Sequence, residues 1–422
     1  DHLKGVSVLA ESFADKFGMG NCGFLTGLLH DQGKYTRAFQ DYLQCSLNGE
    51  NVRRGEVIHA LQGAKYVDEL ISDRLISDIL GNVISSHHNG SFGSITGGER
   101  TLSKKITKPE DKLHYEEAVG NFSPEIDLKR IKSEFLAVFR ICQEQKIDAP
   151  FMLHLLAKAL FSSVVDADRC NSARLDLKTG LPDWKCIGCF LEKYLSGFSS
   201  DSELNQVRQN ISQQCKESGG CPRGIYTLSL PTGSGKTLSS LRFALEHARE
   251  NNLERIIYVI PYLSILDQTA DELRKVFGET ADEIVLEHHS NFELPKDYDE
   301  ERENRLSCSR WDSPIVLTTM VQFLETIYSN RASKLRKFHN MANAVIVFDE
   351  VQALPIRCTH LFNDAVNFLR HFGQSTILLC TATQPHLHEV DRPVRLSDNP
   401  ELTRIPRDQA DVFDRVSIAD KS

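Results

Sequence analysis

The fold of this chain is constrained most strongly by a glycine-rich loop between an apolar run and a helical segment. Ile225–Leu230 predicts a buried strand, and Leu238–Arg249 predicts a helix. The loop between them, with a strand before it and a helix after it, is typical of a phosphate-binding loop. Its backbone amides converge on phosphate oxygens, Lys236 reaches the β- and γ-phosphates, and the Thr237 hydroxyl ligates Mg²⁺. The predicted nucleotide-binding residues of the loop are Thr232, Gly233, Ser234, Gly235, Lys236 and Thr237.

Residues 223–422 alternate short β-rich runs with helical segments. Several of the runs are almost continuously apolar, which is typical of strands buried on both faces. The alternation predicts right-handed βαβ units and an α/β domain with a doubly wound parallel sheet. The expected strands are Ile225–Leu230, Arg255–Ile260, Glu283–Leu286, Pro314–Thr318, Ala344–Phe348 and Ser375–Cys380.

Two carboxylates follow the expected strand Ala344–Phe348. Because ligand sites of open α/β sheets lie at the carboxyl ends of strands, Asp349 and Glu350 should lie near the phosphate-binding loop. We expect Asp349 to hold Mg²⁺ through water and Glu350 to orient and activate the attacking water. The alternative is a solvated strand end, which the upstream loop makes less favourable. Thr381 and Thr383, after the next strand, could sense the γ-phosphate.

Residues 1–178 contain no convincing strand and predict an all-helical domain. An apolar helix over residues 22–31 ends in His30 and Asp31, an imidazole and a carboxylate that can reach the same metal ion. The pair alone is weak evidence, because adjacent His and Asp occur by chance in many proteins. His2 falls on the apolar face of the first helix, where a buried histidine bonded to the backbone is the alternative.

Three further histidines are expected at helix ends of this domain. His59 is expected in the first turn of a helix near Glu56–Ile71, and His87 and His88 at the end of a helix over Asp73–His88. A favourable interaction with the helix dipole is the alternative explanation for the last two.

A long helix that starts at Pro150 carries two carboxylates near its end, Asp166 and Asp168. Residues two apart on a helix diverge by about 200°, so only one of the two is expected to face the core. The longest apolar stretch, Phe151–Val165, lies in this helix and is too short to span a bilayer, so we expect no membrane association.

Residues 179–222 predict a connector between the two domains, with one helix near Ser202–Cys215. Four of its thiols could form a structural zinc site, but the loose spacing of the second pair favours unlinked thiols. These thiols are Cys186, Cys189, Cys215 and Cys221.

The composition is ordinary for a globular protein, with 41% hydrophobic and 25% charged residues. The net charge of −9 argues against a generally basic nucleic-acid coat, although a local basic groove is compatible with it. The eleven cysteines are scattered along the chain, as in a reducing compartment, so the expected location is the cytoplasm.

The motifs of the α/β domain resemble those of superfamily 2 helicases. The phosphate-binding loop, Asp349–Gln352 and Thr381–Thr383 are similar to helicase motifs I, II and III. Ile260–Tyr262 and Thr318–Met320 are similar to the strand-end motifs that touch the nucleic-acid backbone. The helical domain resembles the HD-superfamily phosphohydrolases. An HD domain fused ahead of such a helicase is the architecture of the CRISPR-associated nuclease/helicases of type I systems, which the chain resembles over nearly its whole length.

The resemblance implies an all-α HD-type nuclease domain over residues 1–178, a connector over 179–222 and a RecA-like helicase domain over 223–422. The second RecA-like domain of the family is not expected within this sequence, which suggests a fragment with weak ATP hydrolysis. Gln352 stands where DExH helicases carry histidine. This difference implies altered coupling between the ATP site and motif III rather than its loss.

The resemblance also implies a two-metal site, with Lys34 beside the scissile phosphate. Imidazole-rich ligation favours Mn, Fe, Co or Ni, whereas the oxygen-lined ATP site should take Mg²⁺. The implied ligands of the first ion are His2, His30, Asp31 and Asp168. Those of the second ion are His59, His87, His88 and the bridging Asp31.

The implied function is metal-dependent cleavage of single-stranded DNA, fed by ATP-driven translocation in antiviral defence. A guide-RNA surveillance complex is the implied partner. A passing strand needs contacts that are independent of its sequence. Two alternatives stay open: an HD nucleotide phosphohydrolase regulated by an ATPase domain, and a non-catalytic docking fragment. The adenine-contacting residues are also open, with candidates near Gln206–Gln209.

Overall fold

The computed structural model describes residues 1–51, 53, 55–88, 92, 102–177, 180–289, 308–383, 385–404 and 411–413. The chain divides into two compact units. Unit 1 consists of Asp1–Lys178 and Thr326–His339, and unit 2 consists of Thr179–Glu325 and Asn340–Ser422. The expected fold class, a helical domain followed by an α/β domain with a parallel sheet, is confirmed.

The regular secondary structure of unit 1 is helical in the part that is described. Several helices begin at side-chain caps: Thr36, Asp73 and Asp127 each accept a hydrogen bond from a backbone N–H of the first turn. A short 3₁₀ helix, Gln32–Tyr35, follows the second helix. The helices preceding the sheet domain are α1 (His2–Asp15), α2 (Gly20–Leu29), α3 (Arg37–Leu47), α4 (Gln62–Leu70), α5 (Arg74–Ser86), α6 (Leu102–Ile106), α7 (Glu110–Leu113), α8 (Tyr115–Asn121), α9 (Leu128–Gln145) and α10 (Ala149–Ser172).

Helices α1 and α2 pack closely because two glycines on one face of α2 leave room for the backbone of α1. A Cβ atom on Gly23 would lie 2.4 Å from the carbonyl oxygen of Ala10. A Cβ atom on Gly27 would lie 2.9 Å from Cα of Ser7. This close contact fixes the end of α2, where His30 follows.

Helix α10 is the core helix of unit 1 and packs against α1, α2, α5 and α9. It is the one helix of the described residues that is long and apolar enough to cross a membrane by length and composition. The expectation that the apolar stretch is too short is therefore wrong, because the helix extends beyond Phe151–Val165 at both ends. However, 78% of its most apolar window is buried inside the structure, which is typical of a core helix in a globular domain.

Unit 2 contains a six-stranded parallel sheet with the order β1-β6-β5-β2-β4-β3. All six expected strands are present, and the third begins two residues later than expected because Ala281–Ile284 forms a short helix. Ser229 pairs with Thr381, and Phe348 pairs with Leu379, so the carboxyl ends of β1, β6 and β5 lie side by side. The strands are β1 (Ile225–Ser229), β2 (Arg255–Ile260), β3 (Val285–His288), β4 (Ile315–Thr319), β5 (Ala344–Phe348) and β6 (Thr376–Thr381).

The segment expected to be a connector contributes two helices to unit 2. Both pack against the helix that follows β1, and Trp184, Leu191 and Ile211 share the core of the sheet. The connector assignment is therefore wrong, because the apolar residues of these helices recur at helical spacing and need a surface to cover them. The remaining helices are α11 (Trp184–Leu195), α12 (Glu203–Glu217), α13 (Lys236–Glu250), α14 (Leu263–Phe277), α15 (Ala281–Ile284), α16 (Met320–Tyr328), α17 (Ala332–Leu335) and α18 (Thr359–His371).

A stretch of chain between β4 and β5 belongs to unit 1. This inserted segment, Thr326–His339, comprises the end of α16 and all of α17, and α17 packs against α10. The assignment of residues 223–422 to one α/β domain is therefore wrong for this segment, because its side chains find their partners in the helical unit.

Candidate metal centre and nucleotide site

Residues from four helices of unit 1 meet around Asp31, which is fully buried. His30 ends α2 and His87 ends α5. His2 is the first residue of α1, and Asp168 lies near the end of α10. Segments that are distant in the sequence therefore bring imidazoles and carboxylates together.

The Asp31 carboxylate lies close to four imidazole rings. Its Oδ1 lies 3.1 Å from Nε2 of His87 and 3.2 Å from Nε2 of His88. Nε2 of His59 lies 3.8 Å from the same oxygen. The other oxygen, Oδ2, lies 3.2 Å from Nε2 of His30. The two oxygens of one carboxylate thus face different histidines.

Two groups of potential ligand atoms, each within 4.8 Å of one another, share Asp31. They resemble the two implied ligand sets except at His87, which contacts Asp31 but lies outside both groups. The first group consists of His2, His30, Asp31 and Asp168. The second group consists of Asp31, His59 and His88.

Hydrogen bonds to the backbone fix the tautomer of three of these rings. Nδ1 of His30, His59 and His87 lies 2.7, 2.9 and 2.6 Å from a main-chain carbonyl oxygen. Because a carbonyl oxygen only accepts, each Nδ1 must carry the proton and donate it. In the neutral ring the Nε2 lone pair then faces a carboxylate oxygen, an arrangement that repels unless a proton or a metal cation lies between the two atoms.

Nδ1 of His2 also has a hydrogen-bond acceptor, but this acceptor is a side-chain oxygen and not a main-chain carbonyl oxygen. Its Nδ1 lies 2.7 Å from Oδ1 of Asn171, and its Nε2 lies 3.4 Å from Oδ1 of Asp168. Nε2 of His2 and of His30 is buried and makes no hydrogen bond with any residue that the structure describes. Buried nitrogen atoms without such a partner are unfavourable unless they bind an ion, so the donor set fits a metal rich in imidazole ligands. Sequence reasoning missed Asn171, although its position one turn after Asp168 was a usable signal.

The charges of the centre follow from burial and from the two carboxylates. Burial lowers the pKa of His87 to about 4. Burial also acts to lower the pKa of His30, but the charges of Asp31 and Asp168 outweigh it and raise that pKa to about 9. For both carboxyl groups, burial is outweighed by the neighbouring histidines, so their pKa values lie below the ordinary range. The centre therefore holds two ionised carboxylates that attract cations.

His59 does not lie in a helix. Helix α4 begins at Gln62, so the expected position in a first helical turn is wrong. Long-range contacts hold the preceding segment: Gly33 N–H donates to the carbonyl oxygen of His59 at 3.1 Å, and Gln62 Nε2 donates to that of Leu113 at 2.7 Å. A Cβ atom on Gly33 would lie 2.4 Å from Gln62 Oε1, so glycine permits this approach.

The two carboxylates of α10 have different partners. Asp168 Oδ1 lies 3.4 Å from Nε2 of His2 and 3.7 Å from Nε2 of His30. Asp166 is fully buried, and its Oδ1 accepts a hydrogen bond from Arg336 Nε at 2.6 Å. The expectation that only one of them faces the core is confirmed: Asp166 is that residue, whereas 21% of the Asp168 side chain is exposed.

Lys34 extends toward Asp31 from the 3₁₀ helix. Its Nζ lies 2.5 Å from Oδ2 of Asp31 and 5.9 Å from the ring centre of Phe39. About a third of its side chain is exposed, so its charge lies between the buried centre and solvent.

The second site lies at the carboxyl edge of the sheet in unit 2. The phosphate-binding loop follows β1 and starts α13 at Lys236. Lys236 Nζ lies 2.5 Å from Oε1 of Glu350 and 3.7 Å from Oδ1 of Asp349. Burial raises the pKa of Asp349. Burial also acts to raise the pKa of Glu350, but the hydrogen bonds of Lys236 and Gln352 lower it below its ordinary value.

The loop has the backbone conformation that its glycines allow. Gly233 and Gly235 have φ angles of +81° and +82°, in the left-handed region that favours glycine. Ser234 Oγ is buried and makes no hydrogen bond with a described residue. Thr232, Gly233 and Gly235 of the loop line the adjoining cavity.

A cavity of about 870 Å³ adjoins this loop, within the size range of nucleotide sites. Thr232, Thr237 and both carboxylates line it, as do Arg208 and Gln209 of α12. Arg208 Nε donates to the carbonyl oxygen of Gly233 at 2.9 Å. Of the candidate adenine-contacting stretch, these two residues lie at the cavity, whereas the Gln206 side chain donates to a backbone carbonyl elsewhere.

Gln352 links the end of β5 to the end of β6. Its Nε2 donates to Glu350, and its Oε1 accepts from Thr381 Oγ1 at 2.5 Å. Thr381 Oγ1 in turn accepts from the N–H of Thr383 at 3.0 Å. The hydrogen-bond link expected of the side chain at position 352 is therefore present.

The four thiols of the possible zinc site do not form a ligand group among the described residues. Cys186 and Cys189 are exposed, Cys215 is buried and Cys221 is half-buried. This arrangement agrees with the interpretation of unlinked thiols.

Two sequence families match separate parts of the chain. The HD domain family matches residues 1–116, and the family described as type III restriction enzyme, res subunit, matches residues 202–386. The first match includes every candidate ligand of the metal centre except Asp168, and the second includes the phosphate-binding loop, Asp349 and Glu350.

Two curated relatives are named CRISPR-associated nuclease/helicases. The CRISPR-associated nuclease/helicase Cas3 of Haloferax volcanii is 29% identical over 230 residues, which covers 47% of this chain and 24% of the relative. The putative Cas3 of Methanocaldococcus jannaschii is 28% identical over 133 residues, covering 29% of this chain and 18% of the relative. The matched region is therefore less than a quarter of each relative's length.

A solved structure has the same fold over most of this chain. The crystal structure of T. fusca Cas3-ATP superposes with a TM-score of 0.53 at 18% identity, covering 91% of this chain and 48% of that one. The chain is therefore a homologue of the CRISPR-associated nuclease/helicases, with an HD domain followed by a helicase-type ATP-binding domain.

Proposed function

We propose that this chain is a metal-dependent nuclease for single-stranded DNA that is coupled to an ATP-driven DNA helicase and translocase. The observation that carries the proposal is the pair of ligand groups that share the buried carboxylate of Asp31. Since its relatives are named CRISPR-associated nuclease/helicases, we further propose that it degrades foreign DNA in antiviral defence. A guide-RNA surveillance complex would direct it to that DNA in the cytoplasm.

The nuclease centre would hold two divalent ions, with Asp31 shared between them. Imidazole-rich donors favour Mn, Fe, Co or Ni over Mg. When bound, such a pair of ions stabilises the charge on the attacking and leaving oxygens of a phosphodiester. The first ion would be held by His2, His30, Asp31 and Asp168. The second would be held by Asp31, His59, His87 and His88.

The chain's own groups would orient the DNA at this centre. Lys34 would place its ammonium group beside the scissile phosphate, where it offsets negative charge. The carbonyl oxygens that accept the Nδ1 protons of His30 and His87 keep both Nε2 atoms directed at the centre.

In unit 2, the amides of the phosphate-binding loop and Lys236 would bind the phosphates of ATP. Thr237 and Asp349 would hold Mg²⁺, and Glu350 would accept a proton from the attacking water. The remaining loop residues expected to contact nucleotide are Thr232, Gly233, Ser234 and Gly235.

The direct test is incubation of the chain with circular single-stranded DNA and Mn²⁺ or Ni²⁺. Because a circle has no ends, its conversion to linear and shorter products reports endonuclease activity, and a chelator should stop it. Intact circles together with cleaved mononucleotides would contradict the proposal and favour the nucleotide phosphohydrolase. Intact DNA and intact nucleotides with every metal would favour the docking fragment.

Coupling between ATP and DNA is expected to depend on Gln352. Gln352→Ala removes both of its hydrogen bonds, so single-stranded DNA should alter the affinity for an ATP analogue much less than in the unmodified chain. Coupling free energies of this kind are about 1–3 kcal/mol, or roughly 5–150-fold in affinity. Gln352→His, which can keep the link, should retain the effect. Equal DNA dependence in the alanine variant and the unmodified chain would rule out this role.

A further inference from the structure

We propose that the inserted segment Thr326–His339 positions the metal ligand Asp168 through a buried ion pair between Arg336 and Asp166. The inference rests on the proposed function of the metal centre. It adds positioning residues that lie outside the ligand set and that come from the chain between β4 and β5.

One face of α10 holds the first part of the segment. Lys158, Ser162 and Asp166 are spaced four residues apart, which places them on one side of the helix. All three are buried. Lys158 Nζ donates to the carbonyl oxygens of Tyr328 at 2.8 Å and of Ser329 at 3.1 Å. These carbonyls belong to the end of α16, whose terminal acceptors the ammonium group thereby satisfies.

The next two turns of α10 hold the rest of the segment. Ser162 Oγ donates to the carbonyl oxygen of Arg336 at 3.0 Å and accepts from the N–H of His339 at 3.1 Å. Arg336 Nε donates to Asp166 Oδ1 at 2.6 Å, and His339 Nε2 lies 3.4 Å from Asp166 Oδ2. Both carboxylate oxygens of Asp166 therefore face the inserted segment.

Asp168 lies two residues further along, on a different side of the same helix. Because the backbone between Asp166 and Asp168 is helical, the angle between the two side chains about the helix axis is fixed at about 200°. A rotation of α10 that carried Asp168 away from His30 would also pull Asp166 from Arg336. Separating a buried charge from its partner is strongly unfavourable, so the ion pair resists that rotation.

Replacing both partners of the ion pair with apolar residues of similar volume tests the positioning of Asp168 without a large change in the stability of the fold. Buried ion pairs exchanged for apolar residues of similar volume often leave a protein as stable as before, since the cost of burying the charges disappears as well. The double variant Asp166→Leu, Arg336→Met should therefore fold while losing the directional contact. The control is Arg331→Met, which removes the same charge from an exposed residue at the other end of the segment.

The experiment is a titration of the full chain with Mn²⁺, in which electron paramagnetic resonance measures the concentration of free Mn²⁺ at each step. We expect two ions in the unmodified chain and in the control. In the double variant, one ion should bind about 10–100-fold more weakly, the usual effect of removing a partner that orients a ligand, and the other should bind as before. Binding of an ATP analogue should not change.

Two tight ions in a folded double variant would overturn the inference, and so would equal weakening of both ions. Should the double variant fail to fold, Arg336→Lys provides the same readout, because it keeps the charge but alters the geometry. Selective weakening of one ion in that variant supports the inference, and unchanged binding overturns it. Failure of the unmodified chain to bind Mn²⁺ would instead overturn the proposed metal centre itself.

Discussion

Replacing Asp31 with alanine is expected to abolish metal-dependent DNA cleavage while nucleotide binding stays intact. Asp31 belongs to both potential ligand groups, and its two oxygens face different histidines. Its removal therefore weakens both ion sites at once. Loss of an outer partner of a metal ligand alone costs about 10–100-fold in metal affinity or activity, so the loss of this shared ligand should exceed 100-fold.

The measurement for Asp31→Ala is the initial rate of nicking of circular single-stranded DNA at saturating Mn²⁺. Asp31→Asn, which keeps the shape but removes the charge, should be almost as defective. Asp41→Ala changes an exposed aspartate of α3 and should cleave like the unmodified chain. Binding of a fluorescent ATP analogue verifies that unit 2 is folded in every variant. Nicking within a few-fold of the unmodified rate by Asp31→Ala would contradict the two-ion assignment.

Replacing Lys236 with alanine is expected to give the opposite result, namely loss of nucleotide binding with metal-dependent nicking preserved. Lys236 carries the positive charge closest to Asp349 and Glu350 among the contacts described for them. Without it, the phosphates would lose this ammonium partner and would lie near two carboxylates whose charge Lys236 no longer offsets. A hydrogen bond to a charged group contributes about 1.5–3 kcal/mol, so affinity should fall at least about tenfold.

The measurement for Lys236→Ala is equilibrium binding of the ATP analogue with Mg²⁺. Lys185→Ala removes an exposed lysine from α11 in the same unit and should bind normally. Circular single-stranded DNA should still be nicked with Mn²⁺, because no ligand of the metal centre has changed. Unchanged affinity for nucleotide would show that the cleft near the loop is not the ATP site.

The sheet and the nucleotide loop could be predicted from local sequence, because their signals are local. All strands except β3 are mainly apolar runs of strand length, and the loop's glycines adopt the φ angles that their positions require. Of the two helices in residues 180–222, α12 was expected near Ser202–Cys215, but α11 was missed even though Ile187 and Leu191 are four residues apart, which is itself a helical signal. Gly180 and Pro182, which are typical of loops, lie just before α11, and the segment was therefore interpreted as a connector.

The metal centre could be predicted only in part. Local sequence singles out His30 and Asp31, whereas the remaining ligands came from a family resemblance. The position of His59 depends on Gly33, whose N–H donates to the His59 carbonyl oxygen, a contact made by folding and not by a neighbour in the chain. Nothing in the local pattern near Arg336 indicates that it leaves the sheet domain.

A usable signal for the inserted segment was nevertheless present in α10. Lys158, Ser162 and Asp166 interrupt an otherwise apolar helix at intervals of four residues. A polar stripe on a buried helix needs polar partners, because buried charges and hydroxyls are costly without them. The stripe therefore indicated a partner segment, although it could not identify which one.

Anomalous scattering from a crystal of this chain soaked with Mn²⁺ tests the two-ion centre most directly. We expect two peaks, one on each side of the Asp31 carboxylate, with His2, His30 and Asp168 around the first. His59 and His88 should lie around the second. A crystal with no anomalous peak at Asp31, or with one peak that the Asp31 carboxylate does not contact, would contradict the two-ion centre.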